Sequence, residues 1–422
     1  MAAGAVTRDG DSGRPVLVAV PQVGGVGVGH FMRCLALAQA WNARSGRSVV
    51  VAPALDAALA GLLARDQIRH VPAAGGDAIA RAVEGIAAEQ AVTAIAVDGY
   101  EFGAPVERAL RLFALAMLAF DDGNATGAHA VDLLTDPTPG VTAACYEATA
   151  PGARMLLGPQ FAALRREAAA PSDDEAAERR GPSRSITLLA GGEPAPAVRR
   201  WFGALADGLR AEGYDVRAPG ISEPRADTIV ALVRDSLVAV SAGGSTSLEL
   251  CRLGVPTALV VVADNQVGLA VGLDRAGAAR LLGRITSLDA GAAVAAVRAL
   301  AEDAGARDAL ARRGPALVDG RGAGRLVVAL RAATLRLEPA GPQHSELLWR
   351  WANDPDTRAA SFSHETIPWA DHERWFADRL ADPDCRIFVA SPAGGVPLGQ
   401  IRFELASGRI VIGVSVAAEC RG

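Results

Sequence analysis

A chain of 422 residues is too long for one ordinary domain and predicts two or three. Half of it is hydrophobic and 21% is charged, enough to build buried cores and to exclude a disordered protein. The net charge of −5 comes with no concentrated basic stripe, which argues against a nucleic-acid partner. Apart from six histidines every basic residue is arginine, so a lysine Schiff base is excluded. The five cysteines (Cys34, Cys145, Cys251, Cys385, Cys420) are odd in number and form no CxxC pair. A disulfide framework or structural zinc is therefore not expected, and a reducing compartment fits. The polar start "MAAGAVTRDGDSGRP" has no signal-peptide core, and no apolar run approaches a membrane span. A cytoplasmic, soluble protein is expected, with its oligomeric state open.

Taken in chain order, "PVLVAV" from Pro15 predicts a strand. "GGVGVGH" (Gly24 to His30) follows and runs straight into an apolar helical pattern reaching about Asn42. "SVVVAPA" from Ser48 precedes another helix, "TAIAVD" from Thr93 ends at the turn "GYEFG", and "LAMLAFDD" from Leu115 ends in Asp121 and Asp122. Strands alternating with helices imply βαβ units and a buried parallel sheet. Ligands gather outside the carboxyl ends of such strands, where His30, Asp98, Tyr100, Asp121 and Asp122 all fall.

The glycine loop is not a Walker A loop, because no Lys-Ser/Thr follows it, and it resembles a dinucleotide fingerprint only loosely. His30 opens a helix whose positive end disfavours a charged imidazole, and a neutral ring is what a general base needs. A histidine that merely caps the helix would leave the same sequence. Asp121 and Asp122 suit a divalent metal or a solvated strand end. No ligand partner follows at metal spacing, so no metal is expected. No GxSxG elbow is present.

Residues 166–184 are charged, Pro/Ser-bearing and non-periodic, and read as a linker between a domain at 15–165 and another at 185–332. The second region carries "SAGGSTSLE", in which Gly243, Gly244, Ser245 and Thr246 open a helix. Free amides there suit a phosphate, with Ser245 or Thr246 capping the helix and Glu249 in reach of ribose hydroxyls. An ordinary capped turn would look the same. Asn265 and Gln266 follow the next strand, as ligand contacts or solvated loop residues. From about Thr334 aromatics become frequent ("LLWRWANDPDTR", "IPWADHERWF"). "CRIFVA…VPLGQIRFEL…RIVIGVSVAA" then reads as antiparallel strands of an α+β segment, 334–422.

The pattern "GVGHFMRCLALA … VDGYEF … FDD … LLGPQFAALRREA … SAGGSTSLELCRLGVPTALVVVADNQ" resembles the UDP-2,4-diacetamido-2,4,6-trideoxy-β-L-altropyranose hydrolases of pseudaminic acid biosynthesis, over roughly residues 15–330. That family is similar to MurG-type glycosyltransferases. The resemblance implies an α/β chain with two Rossmann-like domains in a GT-B arrangement. It further implies UDP in the second domain and hydrolysis with inversion at the anomeric carbon, with no cofactor. By position it makes His30 the base that activates water, and Tyr100 and Asn265 active-site polar groups. Gly243, Gly244, Ser245 and Thr246 become the diphosphate turn and Glu249 the ribose contact; Gly27, Gly29 and Gln266 are expected as further substrate contacts from the loop reading. A GT-B glycosyltransferase or a non-catalytic UDP-sugar binder remain the alternatives. The family's Arg-x-Asp before the glycine loop is replaced here by "VAVPQVGGVG". Residues 334–422 resemble an amino-sugar N-acetyltransferase of the GNAT type through "WRWANDPDTR", "HERWF" and "IGVSVAAECRG". Acetyl-CoA is expected as its cofactor only in a complete domain, and the sequence stops at Arg421-Gly422, inside the pyrophosphate turn.

Overall fold

Near-continuous burial marks the first strand, Val16–Pro21 (β1), as one covered on both faces. In the computed structural model, which describes residues 14–24, 28–169, 184–192, 194–221, 229–233, 235–361, 363–392 and 396–418, six more strands join it. They are Arg47–Ala52 (β2), Arg69–Pro72 (β3), Val92–Asp98 (β4), Ala116–Phe120 (β5), Leu133–Asp136 (β6) and Arg154–Leu157 (β7). All pair in parallel, in the order β3-β2-β1-β4-β5-β6-β7. The order reverses between β1 and β4, where the last residues of each, Pro21 and Asp98, stand in register. A crevice opens at such a switch point. The turn after β1 and the end of β4 therefore face it together.

The second sheet repeats the design. Ser185–Leu189 (β8), Asp215–Arg217 (β9), Ser236–Ala242 (β10), Thr257–Val261 (β11) and Arg280–Arg284 (β12) form a parallel sheet in the order β12-β11-β10-β8-β9. Its switch point lies between β8 and β10, so the turns Gly191–Gly192 and Gly243–Thr246 flank it.

Both sheets belong to one compact unit, Met1–Arg331. The helix Gly322–Ala333 is last in sequence after the second sheet. It nonetheless packs Leu326, Val327 and Leu330 against Leu17, Leu37, Trp41 and Leu118 of the first. The predicted domain at 185–332 thus returns its final helix to its predecessor. Entry to that helix needs a glycine: a Cβ on Gly322 would lie 2.1 Å from the Ala162 carbonyl oxygen. Most of the predicted linker, residues 170–183, lies outside the described residues.

Ala332–Gly422 is a separate compact unit. Leu335–Pro339 (β13), Cys385–Pro392 (β14), Gly399–Ala406 (β15) and Arg409–Val416 (β16) form an antiparallel sheet in that order; the last three are the strands that the short connections predict. Leu348 and Trp351 of the helix Ser345–Ala352, with Phe376 of Trp369–Ala381, pack on Cys385, Ile387 and Val389. Residues 419–422, with the predicted pyrophosphate turn, lie outside the described residues. Among the described residues no helix is long and apolar enough to cross a membrane.

Candidate active site

The helix Gly29–Asn42 starts at the end of the glycine loop and sets His30 in its first turn, buried at 4% exposure. His30 Nδ1 lies 2.5 Å from Oδ1 of Asp98, the fully buried last residue of β4. Arg33, one helical turn on, shares this face. Its Nε and Nη2 donate to both Asp98 oxygens at 2.8 and 2.7 Å, and Nη1 and Nη2 reach Asp122 at 2.6 and 3.1 Å. Arg33 Nη2 also stands 3.0 Å from His30 Nδ1, but a guanidinium only donates. The Asp98 oxygen is the acceptor within reach, so a proton on Nδ1 completes that bond and Nε2 is the ring nitrogen left to face the crevice.

Asp122 also accepts the Tyr100 hydroxyl at 2.8 Å, and the Tyr100 ring meets His30 edge-on, with centroids 4.8 Å apart. From the other sheet, Asn265 Nδ2 donates to the same phenol oxygen at 2.7 Å. The structure thus brings His30, Tyr100 and Asn265 together. Burial works against the Arg33 charge, but Asp122 and Asp98 reverse it and hold the guanidinium well above its ordinary pKa. Burial also opposes ionisation of Asp122, and Arg33, His30 and the Tyr100 hydroxyl overcome it to lower its pKa. Burial, and then the Asp122 charge, push the Tyr100 phenol up, so it stays protonated.

Asp121 turns away from this group. Its Oδ1 accepts the amides of Asp122, Ala125 and Thr126. The replaced "VPQV" stretch has a part too, since the Gln22 amide donates to Asp98 O at 2.7 Å and its Oε1 accepts the Tyr100 amide at 2.9 Å. Sequence reasoning missed Arg33 and Gln22. The one signal for Arg33 was its place three residues after His30.

In the second sheet, the turn after β10 is packed tightly: a Cβ on Gly243 would stand 3.1 Å from the Ala270 methyl carbon. The Gly243 and Gly244 amides already donate to the Val260 and Ala242 carbonyls. Those of Ser245 and Thr246 have no partner among the described residues, and they are the donors left for an anion. The predicted side-chain cap is absent. Ser245 is already helical (φ −56°, ψ −28°), whereas a cap residue is extended, and its hydroxyl bonds no helix amide. Ser245 Oγ instead lies 3.1 Å from where a Gly29 Cβ would be, so the two loops approach each other directly. Gln266 braces the turn: its Oε1 accepts the Val262 amide at 3.1 Å, and its Nε2 lies 3.8 Å from the position of a Gly244 Cβ. Glu249 is buried with Arg165 Nε and Nη2 on its two oxygens at 2.9 Å each, a bidentate pair rather than the open carboxylate expected for a ribose. Gly27 lies outside the described residues.

No family model matches the chain, and no curated protein matches it. Solved structures do. The chain is similar to MurG of Acinetobacter baumannii (14% identity, 76% of this chain and 99% of that one, TM-score 0.51). It is similar to the kitacinnamycin glycotransferase (14%, 76% and 99%, TM-score 0.54). A putative UDP-N-acetylglucosamine 2-epimerase from Listeria monocytogenes is also similar (16%, 76% and 96%, TM-score 0.51). The fold is GT-B. At these identities the likeness concerns the fold alone, the two Rossmann-like domains of the first unit.

Proposed function

We propose that this chain cleaves the anomeric C–O bond of a UDP-linked amino sugar, with His30 as general base. The observation that carries the reading is the His30–Asp98 pair beside the Gly243–Thr246 turn, with Gly29 against Ser245. His30 Nε2 takes a proton from the attacking oxygen as that oxygen bonds to the anomeric carbon. The bond to UDP breaks on the opposite face, which inverts the centre. Asp98 stabilises the imidazolium that forms, and the Ser245 and Thr246 amides meet charge developing on the diphosphate. UDP is already a good leaving group, so no strong acid is needed. Tyr100, kept protonated, and Asn265 orient the sugar.

Water as the attacking oxygen rests on the resemblance to the diacetamido-sugar hydrolases. A second reading, transfer to a sugar or lipid hydroxyl, has the similarity to MurG and the kitacinnamycin glycotransferase in its favour. Incubation with the UDP-diacetamido sugar, followed by NMR, separates them. UDP and free inverted sugar without acceptor support hydrolysis. UDP release only with added acceptor supports transfer, and binding without turnover sinks both. The unit from 332 onward is proposed to be a GNAT-type acetyltransferase domain for a related amino sugar, on its resemblance alone. Its acetyl-CoA requirement is open to equilibrium dialysis with the labelled cofactor.

A further inference from the structure

Both ring nitrogens of His129 face carboxylates. Nδ1 lies 2.7 Å from Glu107 Oε1 and Nε2 lies 3.2 Å from Asp121 Oδ2, with all three side chains buried. An ionised carboxylate only accepts, so both contacts are hydrogen bonds only when the ring carries both protons. Burial opposes that charge, but the hydrogen bonds to Asp121 and Glu107 and their charges raise the ring's pKa to about 9. Glu107, from the helix Ala104–Leu110, and Asp121, after β5, are the charged groups on the ring. Beyond Asp121 stand Asp136, at the end of β6, and Tyr146, whose hydroxyl donates to Asp136 at 2.8 Å.

Asp121 has its other oxygen on the backbone. Oδ1 accepts the amide of Asp122 at 2.7 Å, that of Ala125 at 3.1 Å, and both the amide and hydroxyl of Thr126 at 3.3 Å. Asp122 is the next residue, and it holds Arg33 and Tyr100. The histidine is thus one carboxylate and one peptide unit away from the group around His30.

We propose that His129, bridging Glu107 and Asp121 as a buried imidazolium, is a positioning residue that fixes the 121–126 turn and thereby seats Asp122 on Arg33 and Tyr100. It touches no reacting atom. Its effect reaches His30 through Arg33, which spans Asp122 and Asp98. The kinetic arm of the test rests on the function proposed above; the spectroscopic arm does not.

Nitrogen-15 NMR of the histidine rings in the full chain, without substrate, reads the proposal directly. The His129 ring is expected to stay doubly protonated at neutral pH and to titrate near 9; a singly protonated ring at neutral pH overturns the proposal. Asp121→Asn leaves His129 its Glu107 partner but weakens its hold on the turn. The His30 ring signals are expected to move in that variant, and unmoved signals in a folded variant overturn the proposal. With a UDP-sugar substrate, kcat of Asp121→Asn should fall roughly 10- to 100-fold while KM stays within about twofold. A parallel loss in kcat and UDP affinity would mark general damage and count against it. Should no substrate turn over at all, the proposed function fails while the ring signals still decide this inference.

Discussion

The two parallel sheets end differently at their switch points. The first buries His30, Arg33, Asp98, Asp121 and His129 there, with Asp122 against them. The second presents Gly191–Gly192, Gly243–Thr246 and Asn265–Gln266, none of them charged. A buried charge persists only when paired and hydrogen-bonded, so the first end is rigidly wired and can fix which ring nitrogen holds a proton. Under the proposed function the second needs no cation, because the diphosphate would bring its own charge to the Ser245 and Thr246 amides. On that same reading, proton chemistry belongs to one end and anion binding to the other, and substitutions at each end should separate turnover from affinity.

The largest break is expected at His30. His30→Ala should lower kcat by roughly 10²- to 10⁴-fold, the range for a lost general base, with UDP affinity measured by calorimetry unchanged. Near-normal turnover would remove its catalytic role. Asp98→Asn keeps the volume but can present its amide to Nδ1 and favour the wrong tautomer. A loss of about 10²-fold in kcat is expected, again at constant UDP affinity. If both variants weaken UDP binding in step with turnover, the division of labour between the two ends is wrong.

Much of this was legible in the sequence. Apolar runs ending in Asp98 or in Asp121-Asp122, and the run before the glycine loop, place those residues and His30 at strand ends from the sequence. The pairings are another matter. Arg33 stands on an apolar helix where a single arginine reads as solvated, and only the fold sets β4 beneath it. Arg165 and Glu249 are 84 residues apart, so no local pattern announces their bond. The helix Gly322–Ala333 shows the same limit, since its periodicity reveals an apolar face but not the sheet on which that face lands.

At the second end, Gly243→Val adds methyl groups where even a Cβ would lie 3.1 Å from Ala270. Overpacking should shift the turn and its two amides, and UDP should bind about tenfold more weakly with kcat at saturation little changed. An equal fall in kcat at saturating substrate would show that the turn takes part in the chemical step. Asn265→Ala removes the bond that Asn265 Nδ2 donates to the Tyr100 hydroxyl from the second sheet. The expected cost is smaller, about 2- to 10-fold in KM for the UDP-sugar and little in UDP affinity alone, because the bond bears on the sugar side.

The smallest effect bears on stability, and it tests how firmly the first end is wired. The His129 ring has its pKa raised from 6.5 to about 9 by its two carboxylates against the opposing effect of burial. A group that binds its proton more tightly when folded stabilises the chain fully below its unfolded pKa. That stabilisation is lost as pH rises through the folded one. The contribution of His129 should therefore be intact below pH 6.5 and decline between there and about 9. His129→Gln removes the titrating ring, so the Tm gap between wild type and variant should be widest near the acid side of that window. It should narrow by a few degrees toward the alkaline side. A gap that stays constant across the window would mean that the ring is neutral throughout, and that packing rather than charge holds the turn beneath Asp122.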